Sequence, residues 1–307
     1  VQEQTFTVPT WDGQKLFVYQ WSPDEDSPVG ILHIVHGMSE TAARYARLAA
    51  CATEHGYVVY GHDQRGHGQT APSPELLGDI GPDGFRRMAE DIKTVNDVIR
   101  TRHQALPVYV LGHSMGSFLV RLYLGKYGDT VAGAILSGTG SPPRVAVRVG
   151  MHLAKRKMRS KGFTARSKSL NRLVFGRYNQ SFKPTRTDFD WLSRDANEVD
   201  RYTQDPYCGQ PFTNESFYHF YAGLMEALSA RTLANTPKDL PMFIFSGEKD
   251  PVGGHGKGVR KYVRQLYNAG FSDVSVKLYR DGRHEMLNEL NRDEVAADIL
   301  QWMLAHR

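Results

Sequence analysis

Apolar residues along this chain alternate between two rhythms. Short runs at residues 29–35, 57–60, 107–111, 131–136, 241–245 and 274–279 are too brief and too uniformly apolar for amphipathic helices and predict buried strands. Between them, residues 42–55, 84–103, 115–127 and 259–268, and a closing stretch from residue 293, carry apolar positions at steps of three and four. Phe85, Met88, Ile92, Val95 and Ile99 show that spacing most clearly, and it predicts helices. Residues 4–8 and 15–20 predict two further strands, joined by a turn around Asp12-Gly13. Strands alternating with helices imply a mainly parallel sheet covered on both faces, with the leading hairpin as an antiparallel edge. The pattern breaks at residues 141–236, where no buried strand is evident and aromatic and basic residues cluster. The expected organisation is an α/β core from residues 1–140 and 237–307, with 141–236 inserted as a helical cap.

The 40% hydrophobic and 23% charged fractions suit one globular domain with a substantial core. No apolar run approaches the ~20 residues a membrane helix needs, and residues 1–6 lack the layout of a signal peptide. Cys51 and Cys208 have no metal or redox spacing, which suits a reducing, cytoplasmic setting. Charge changes the picture more than composition does. Residues 144–186 carry thirteen Lys or Arg and no Asp or Glu, leaving 25 basic against 33 acidic residues elsewhere. This stretch is either a solvated face or a surface for anionic partners such as lipid headgroups. No nucleic-acid motif accompanies it, so nucleic acid is not expected as a partner.

The candidate chemistry begins at Gly112-His113-Ser114-Met115-Gly116, between a predicted strand and a predicted helix. A serine at such a turn projects its hydroxyl above the end of a parallel sheet, and flanking glycines allow strand and helix to approach closely. A serine hydroxyl needs a base to take its proton and an acid to orient that base. Asp250 follows the strand at 241–245, and His284 follows that at 274–279, so both loops are expected on the carboxyl edge of the sheet. His255 and Asp281 are weaker candidates. His255 lies five residues after Asp250 without a strand of its own, and Asp281 sits three residues before His284 in a turn with Gly282. The developing oxyanion needs two donors, expected from the Met115 N–H and from the loop His36-Gly37-Met38.

Five blocks then carry a resemblance. They are His36-Gly-Met-Ser-Glu40 through Arg44-Tyr45, Asp63-Gln-Arg-Gly-His-Gly68, Gly112 to Gly116, Ser246-Gly-Glu-Lys-Asp250-Pro-Val252, and His284-Glu-Met-Leu-Asn288-Glu289. Together they resemble the monoacylglycerol lipase and lysophospholipase-like (serine aminopeptidase-like) branch of the α/β-hydrolases. The resemblance spans the chain outside the cap and implies an α/β-hydrolase fold. It also implies oxyanion donors at the N–H groups of Met38 and Met115, with Glu40 and Arg44 near the polar end of the pocket. The segment Asp63 to Gly68 is expected to be a structural turn. Ser39 departs from the family, which usually carries glycine there.

The expected activity is a serine hydrolase that cleaves carboxylic esters through an acyl-enzyme, with monoacylglycerols or lysophospholipids as substrates and no metal or organic cofactor. Ser114, Asp250 and His284 are expected to form one hydrogen-bonded row. His36, Gly37, Glu40, Arg44, His113, Phe182, Trp191 and Phe217 are expected to bind substrate, and the cap aromatics Phe175, Tyr178, Tyr207 and Phe212 are further candidates for an apolar wall. An aminopeptidase using the same residues would need carboxylates for a substrate ammonium, with Asp188, Asp190, Asp195, Glu198 and Asp200 as candidates. A non-catalytic receptor on the same fold is a third possibility, and oligomeric state stays open. Haloalkane dehalogenation is not expected, because it requires a carboxylate nucleophile at position 114.

Overall fold

A computed structural model describes residues 1–24 and 27–307. The strands are β1 (Gln2–Pro9), β2 (Lys15–Ser22), β3 (Gly30–Val35), β4 (Tyr57–His62), β5 (Val108–His113), β6 (Gly133–Ser137), β7 (Met242–Gly247) and β8 (Val274–Tyr279). They form one sheet in the order β1-β2-β4-β3-β5-β6-β7-β8. β2 runs antiparallel to β1 and β4, and every other pairing is parallel. β3, β4, β5, β6 and β7 are buried at every position, as expected of parallel strands covered on both faces. This is the mainly parallel, doubly covered sheet that the alternation predicts, in the α/β-hydrolase arrangement that the resemblance implies.

Helices α1 (Ala46–Glu54), α2 (Gly84–Arg102) and α3 (Met115–Tyr127) follow in the first half. Between β6 and β7 come α4 (Arg144–Lys161), α5 (Lys168–Phe175), α6 (Ala196–Gln204), α7 (Asn214–Ala227) and α8 (Ala230–Asn235), then α9 (Lys257–Asn268) and α10 (Arg292–Ala305). The helix expected over 42–55 is split, with a 3-10 turn at Ala42–Tyr45 before α1. α1 and α10 cover one face of the sheet, against Leu32, Ile34, Leu111, Ile135 and Phe243. α2, α3 and α9 cover the other, against Val35, Val110, Leu136 and Ile244. Residues 141–236 hold no strand among the described residues. α7 does not stand apart from the core, however. Phe217, Phe220, Tyr221 and Leu224 recur on one of its faces and join the cluster formed with Phe85, Phe118 and Leu122.

Candidate active site

The turn at Ser114 is built by steric necessity. A Cβ on Gly112 would lie 2.6 Å from the Gly116 carbonyl oxygen, and one on Gly116 would lie 2.1 Å from the Val35 carbonyl oxygen. Ser114 itself has φ +52°, a conformation that costs a non-glycine residue on the order of 1–3 kcal/mol and that the surrounding sheet enforces. Its N–H donates to the Ser137 carbonyl at 2.9 Å, fixing the turn to β6. The hydroxyl faces a cavity of about 620 Å³ that Trp191, Phe175, Phe189, Met38, His113 and His284 also line.

The loops after β7 and β8 bring Asp250 and His284 together. His284 Nδ1 lies 3.0 Å from Asp250 Oδ1, and the two residues are 2% and 0% exposed. Ser246 Oγ donates to Asp250 Oδ2 at 2.8 Å and the Val252 N–H to Oδ1 at 2.8 Å. Burial opposes the Asp250 charge, but His284 and these donors hold its carboxyl below the usual carboxylate range. Burial likewise opposes a charged His284, yet the Asp250 carboxylate raises it above an ordinary histidine. Trp191 packs on the imidazole with ring centres 5.0 Å apart. The expected row is thus joined at the Asp250–His284 end only. Ser114 and His284 face the same cavity without a direct hydrogen bond. The serine hydroxyl turns on a single bond, and contacts of this kind commonly tighten only when substrate is engaged. His255 and Asp281 are exposed and outside the cavity.

The loop after β3 supplies the opposite wall. Glu40 Oε1 accepts from the Gly37 N–H at 2.5 Å and from the Tyr45 hydroxyl at 3.0 Å, which commits the Gly37 N–H to a protein acceptor. The Met38 and Met115 N–H groups, by contrast, donate to no protein acceptor among the described residues. Ser39 takes φ +57°, a geometry suited to glycine. Its hydroxyl donates to the Gln210 carbonyl at 2.7 Å, and its own carbonyl accepts from Gly209 N–H and Tyr202 hydroxyl, each at 2.9 Å. Ser39 therefore ties this loop to the inserted segment.

Of the expected substrate-binding residues, Gly37, Glu40, His113 and Trp191 line the cavity, and four others do not. His36 is fully buried beneath it, donating from Nδ1 to the Gly37 carbonyl at 2.8 Å and accepting the Gln64 N–H on Nε2 at 3.0 Å. Arg44 lies behind the wall and spends its guanidinium on Glu40 at 2.7 Å and on both oxygens of Glu285 at 2.7 and 2.6 Å. Two buried carboxylates need that charge, which leaves little of it for a ligand. Phe182 packs under the Arg283 guanidinium, and Phe217 is in the core beside Phe212. Side chains that sequence reasoning missed are Ser246, four residues before Asp250, and the cavity-facing Lys168, Asn171 and Arg172 of α5, whereas Phe175 on the same helix was an expected wall residue. The hydroxyl four residues before the acid was the one signal for Ser246.

Among the five carboxylates considered for holding an ammonium, only Asp188 lines the cavity. Asp190 accepts from Arg186 N–H and from Thr187, Asp195 pairs with Arg292, Glu198 with Arg47 and Arg201, and Asp200 with Arg186.

Similarity to known proteins agrees with this architecture. A family model described as serine aminopeptidase, S33 (Hydrolase_4), matches residues 26–291. A monoacylglycerol lipase of Mycolicibacterium smegmatis is 29% identical over 297 residues, covering 96% of this chain and 94% of that protein. Human monoglyceride lipase is 27% identical over 294 residues, covering 95% and 88% respectively. Among solved structures, a thermostable carboxyl esterase from Bacillus coagulans, in complex with glycerol, superposes with a TM-score of 0.92 at 28% identity, covering 100% of this chain and 99% of that one. The chain therefore belongs to the Hydrolase_4 family of serine aminopeptidase S33-type α/β-hydrolases, in its monoacylglycerol lipase-like branch.

Proposed function

We propose that this chain is a serine carboxylic ester hydrolase acting on single-chain lipid esters such as monoacylglycerols or lysophospholipids. The observation that carries the reading is the buried Asp250–His284 pair facing a strained Ser114 beside two unpaired backbone donors. In this reading His284 accepts the Ser114 proton as the hydroxyl oxygen attacks the ester carbonyl. Asp250 orients the imidazole and stabilises its charge, and the Met38 and Met115 N–H groups receive the developing oxyanion. Proton return to the leaving alcohol frees it and leaves an acyl-serine. Water, deprotonated by His284, then releases the acid. Residues 141–236 act as the cap, their aromatic side chains Trp191, Phe175 and Phe189 giving the substrate an apolar wall. The scarcity of free carboxylates at the cavity favours ester over aminopeptidase chemistry. Covalent labelling by a fluorophosphonate probe tests the mechanism. Labelling of the parent and none of Ser114→Ala is expected, and an unlabelled parent would point to a non-catalytic receptor.

The cap also supports peripheral contact with anionic lipid. No helix among the described residues is long and apolar enough to cross a membrane. α4 instead exposes Val145, Val149 and Leu153 at four-residue spacing, 72%, 52% and 41% exposed. Arg144, Arg148, Lys155, Arg156, Lys157, Arg159 and Lys161 lie on the same helix, and none forms an ion pair among the described residues. An apolar ridge flanked by unpaired cations suits the surface of an anionic bilayer. Vesicles rich in phosphatidylglycerol should bind the protein at low salt and release it as ionic strength rises. Reversing the charge at Lys155, Arg156 and Lys157 together should weaken binding by about a hundredfold or more, at roughly 1 kcal/mol per basic residue. Equal binding of parent and triple variant would remove the membrane role.

A further inference from the structure

The inserted segment gives the cavity a chemical gradient. α5 presents Lys168, Asn171, Arg172 and Phe175 to it, the i, i+3, i+4, i+7 set of a single helical face. The carboxyl end of that face is apolar and close to the chemistry. Phe175 stacks on Trp191 with ring centres 6.0 Å apart, and Trp191 packs on His284. The amino end is cationic, and Lys168 stands roughly 10 Å along the helix axis from Phe175. Lys168 and Arg172 donate to no protein group and form no ion pair among the described residues. Arg166, also at the cavity, is held by the Glu75 and Leu77 carbonyls at 2.8 and 2.6 Å and by the Pro211 carbonyl, with no carboxylate partner. Asp188 is the one acidic side chain among the cavity's cap residues. The Glu40 and Glu285 carboxylates, deeper in, are paired with Arg44.

We infer that Lys168 and Arg172 select ligands with an anionic group at the outer end of the cavity, so that the preferred esters are single-chain molecules bearing a phosphate or carboxylate rather than neutral acylglycerols. The inference rests on the proposed ester-hydrolase reading of the cavity. The charges are unpaired, share one helix face and are separated from His284 by stacked aromatics. A ligand placing its apolar part on Phe175 and Trp191 thus brings a terminal anion against two cations. Charge-assisted hydrogen bonds to Arg and Lys are the stronger kind, and an anion satisfies donors that a glycerol hydroxyl satisfies only as a neutral acceptor.

Binding separates this inference from the catalytic reading. In Ser114→Ala, which cannot acylate, titration calorimetry would compare three ligands of equal chain length below their micelle thresholds: dodecyl phosphate, laurate and 1-dodecylglycerol ether. Dodecyl phosphate is expected to bind about tenfold more tightly than the neutral ether, with the advantage shrinking in 0.5 M salt, a concentration that screens exposed charge within roughly 4–5 Å. Lys168→Gln/Arg172→Gln should abolish that preference. Lys261→Gln/Arg264→Gln, an equal change of net charge on the exposed side of α9, should keep it. Laurate binding as tightly as dodecyl phosphate assigns the site to carboxylate as well as phosphate, and laurate matching the ether assigns it to phosphate alone. Equal affinity for all three ligands, or a preference that survives in the Lys168/Arg172 variant with a normal melting temperature, overturns the inference. Failure of the parent to cleave any ester would instead remove the proposed activity, while the binding comparison still decides whether this end of the cavity selects anions.

Discussion

Ser114→Ala is expected to lower kcat for ester hydrolysis by about a million-fold, a loss of the size seen when the nucleophile of a serine hydrolase is removed. The melting temperature should barely change, because the hydroxyl faces the cavity and makes no capping hydrogen bond, while alanine meets the same φ of +52° with the same Cβ. Asp250→Asn should cost about ten-thousand-fold, since an amide neither holds the required imidazole tautomer nor stabilises the imidazolium. It should also move the acid limb of the kcat/KM profile. Burial opposes protonation of His284, but Asp250 outweighs it and lifts the imidazole above the usual histidine value of 6.5. The acid limb of the parent should therefore lie above pH 6.5, and in Asp250→Asn below the parent's. Steady-state kinetics on a soluble short-chain ester from pH 5 to 9 measure all three quantities. A Ser114→Ala enzyme retaining even a few per cent of parent activity would rule out the proposed nucleophile. An unshifted acid limb in Asp250→Asn would separate Asp250 from the base.

Acidification from pH 7.5 to 5.5 is expected to lower the melting temperature on the order of 5–10 °C. The cause lies at the carboxyl ends of β3 and β4, where four histidines are shut away from water. His33 Nε2 and His62 Nδ1 are 3.3 Å apart, and the His36 and His67 rings sit 5.2 Å apart. Burial depresses His33, His36 and His67 to about 3, and His62 well below its ordinary value. In the unfolded chain each takes up a proton near 6.5. Between that pH and about 3 the unfolded state binds protons that the folded state refuses, so stability falls as pH falls through this window. The cost is roughly 1.4 kcal/mol per histidine at one unit below 6.5. Asp63 and Asp91 act in the opposite sense, burial raising both to about 6. Each of these returns roughly 1 kcal/mol at pH 5.5, which leaves the histidines dominant. Scanning calorimetry at the two pH values, at constant ionic strength, provides the measurement. A melting temperature that stays level would mean that these imidazoles protonate within the folded protein.

Ser114, Asp250 and His284 could be nominated from the chain because each stands just after a short apolar strand, and the exit of a parallel strand is a local property of the chain. Once the strands lie side by side, their carboxyl ends are neighbours and the loops meet whatever their separation in sequence. The same logic exposed the Met38 and Met115 peptides, whose candidacy depends on chain position rather than side chain. Glycines 112 and 116 declared a close approach that the Gly116–Val35 packing makes explicit.

What the sequence left open follows from the limits of periodicity. An apolar face shows that a helix packs, but not on what. Phe217 and Phe182 both sit in an aromatic-rich insertion. α7 carries Phe217 into the core against α2 and α3, and the 3-10 turn at Tyr178–Phe182 leaves Phe182 beneath Arg283. His36 and Arg44 lie in a recognisable block, yet the Gln64 peptide and the Glu285 carboxylate that occupy them come from distant parts of the chain. Ser39 reads as a departure from pattern, and only the fold shows a left-handed serine fastening its loop to Gln210. The chain alone determined the strand order of its chemistry, because strand exits are local. Tertiary structure decided which side chains face the cavity, because that depends on how the insertion docks, on long-range charge pairing and on the burial they impose.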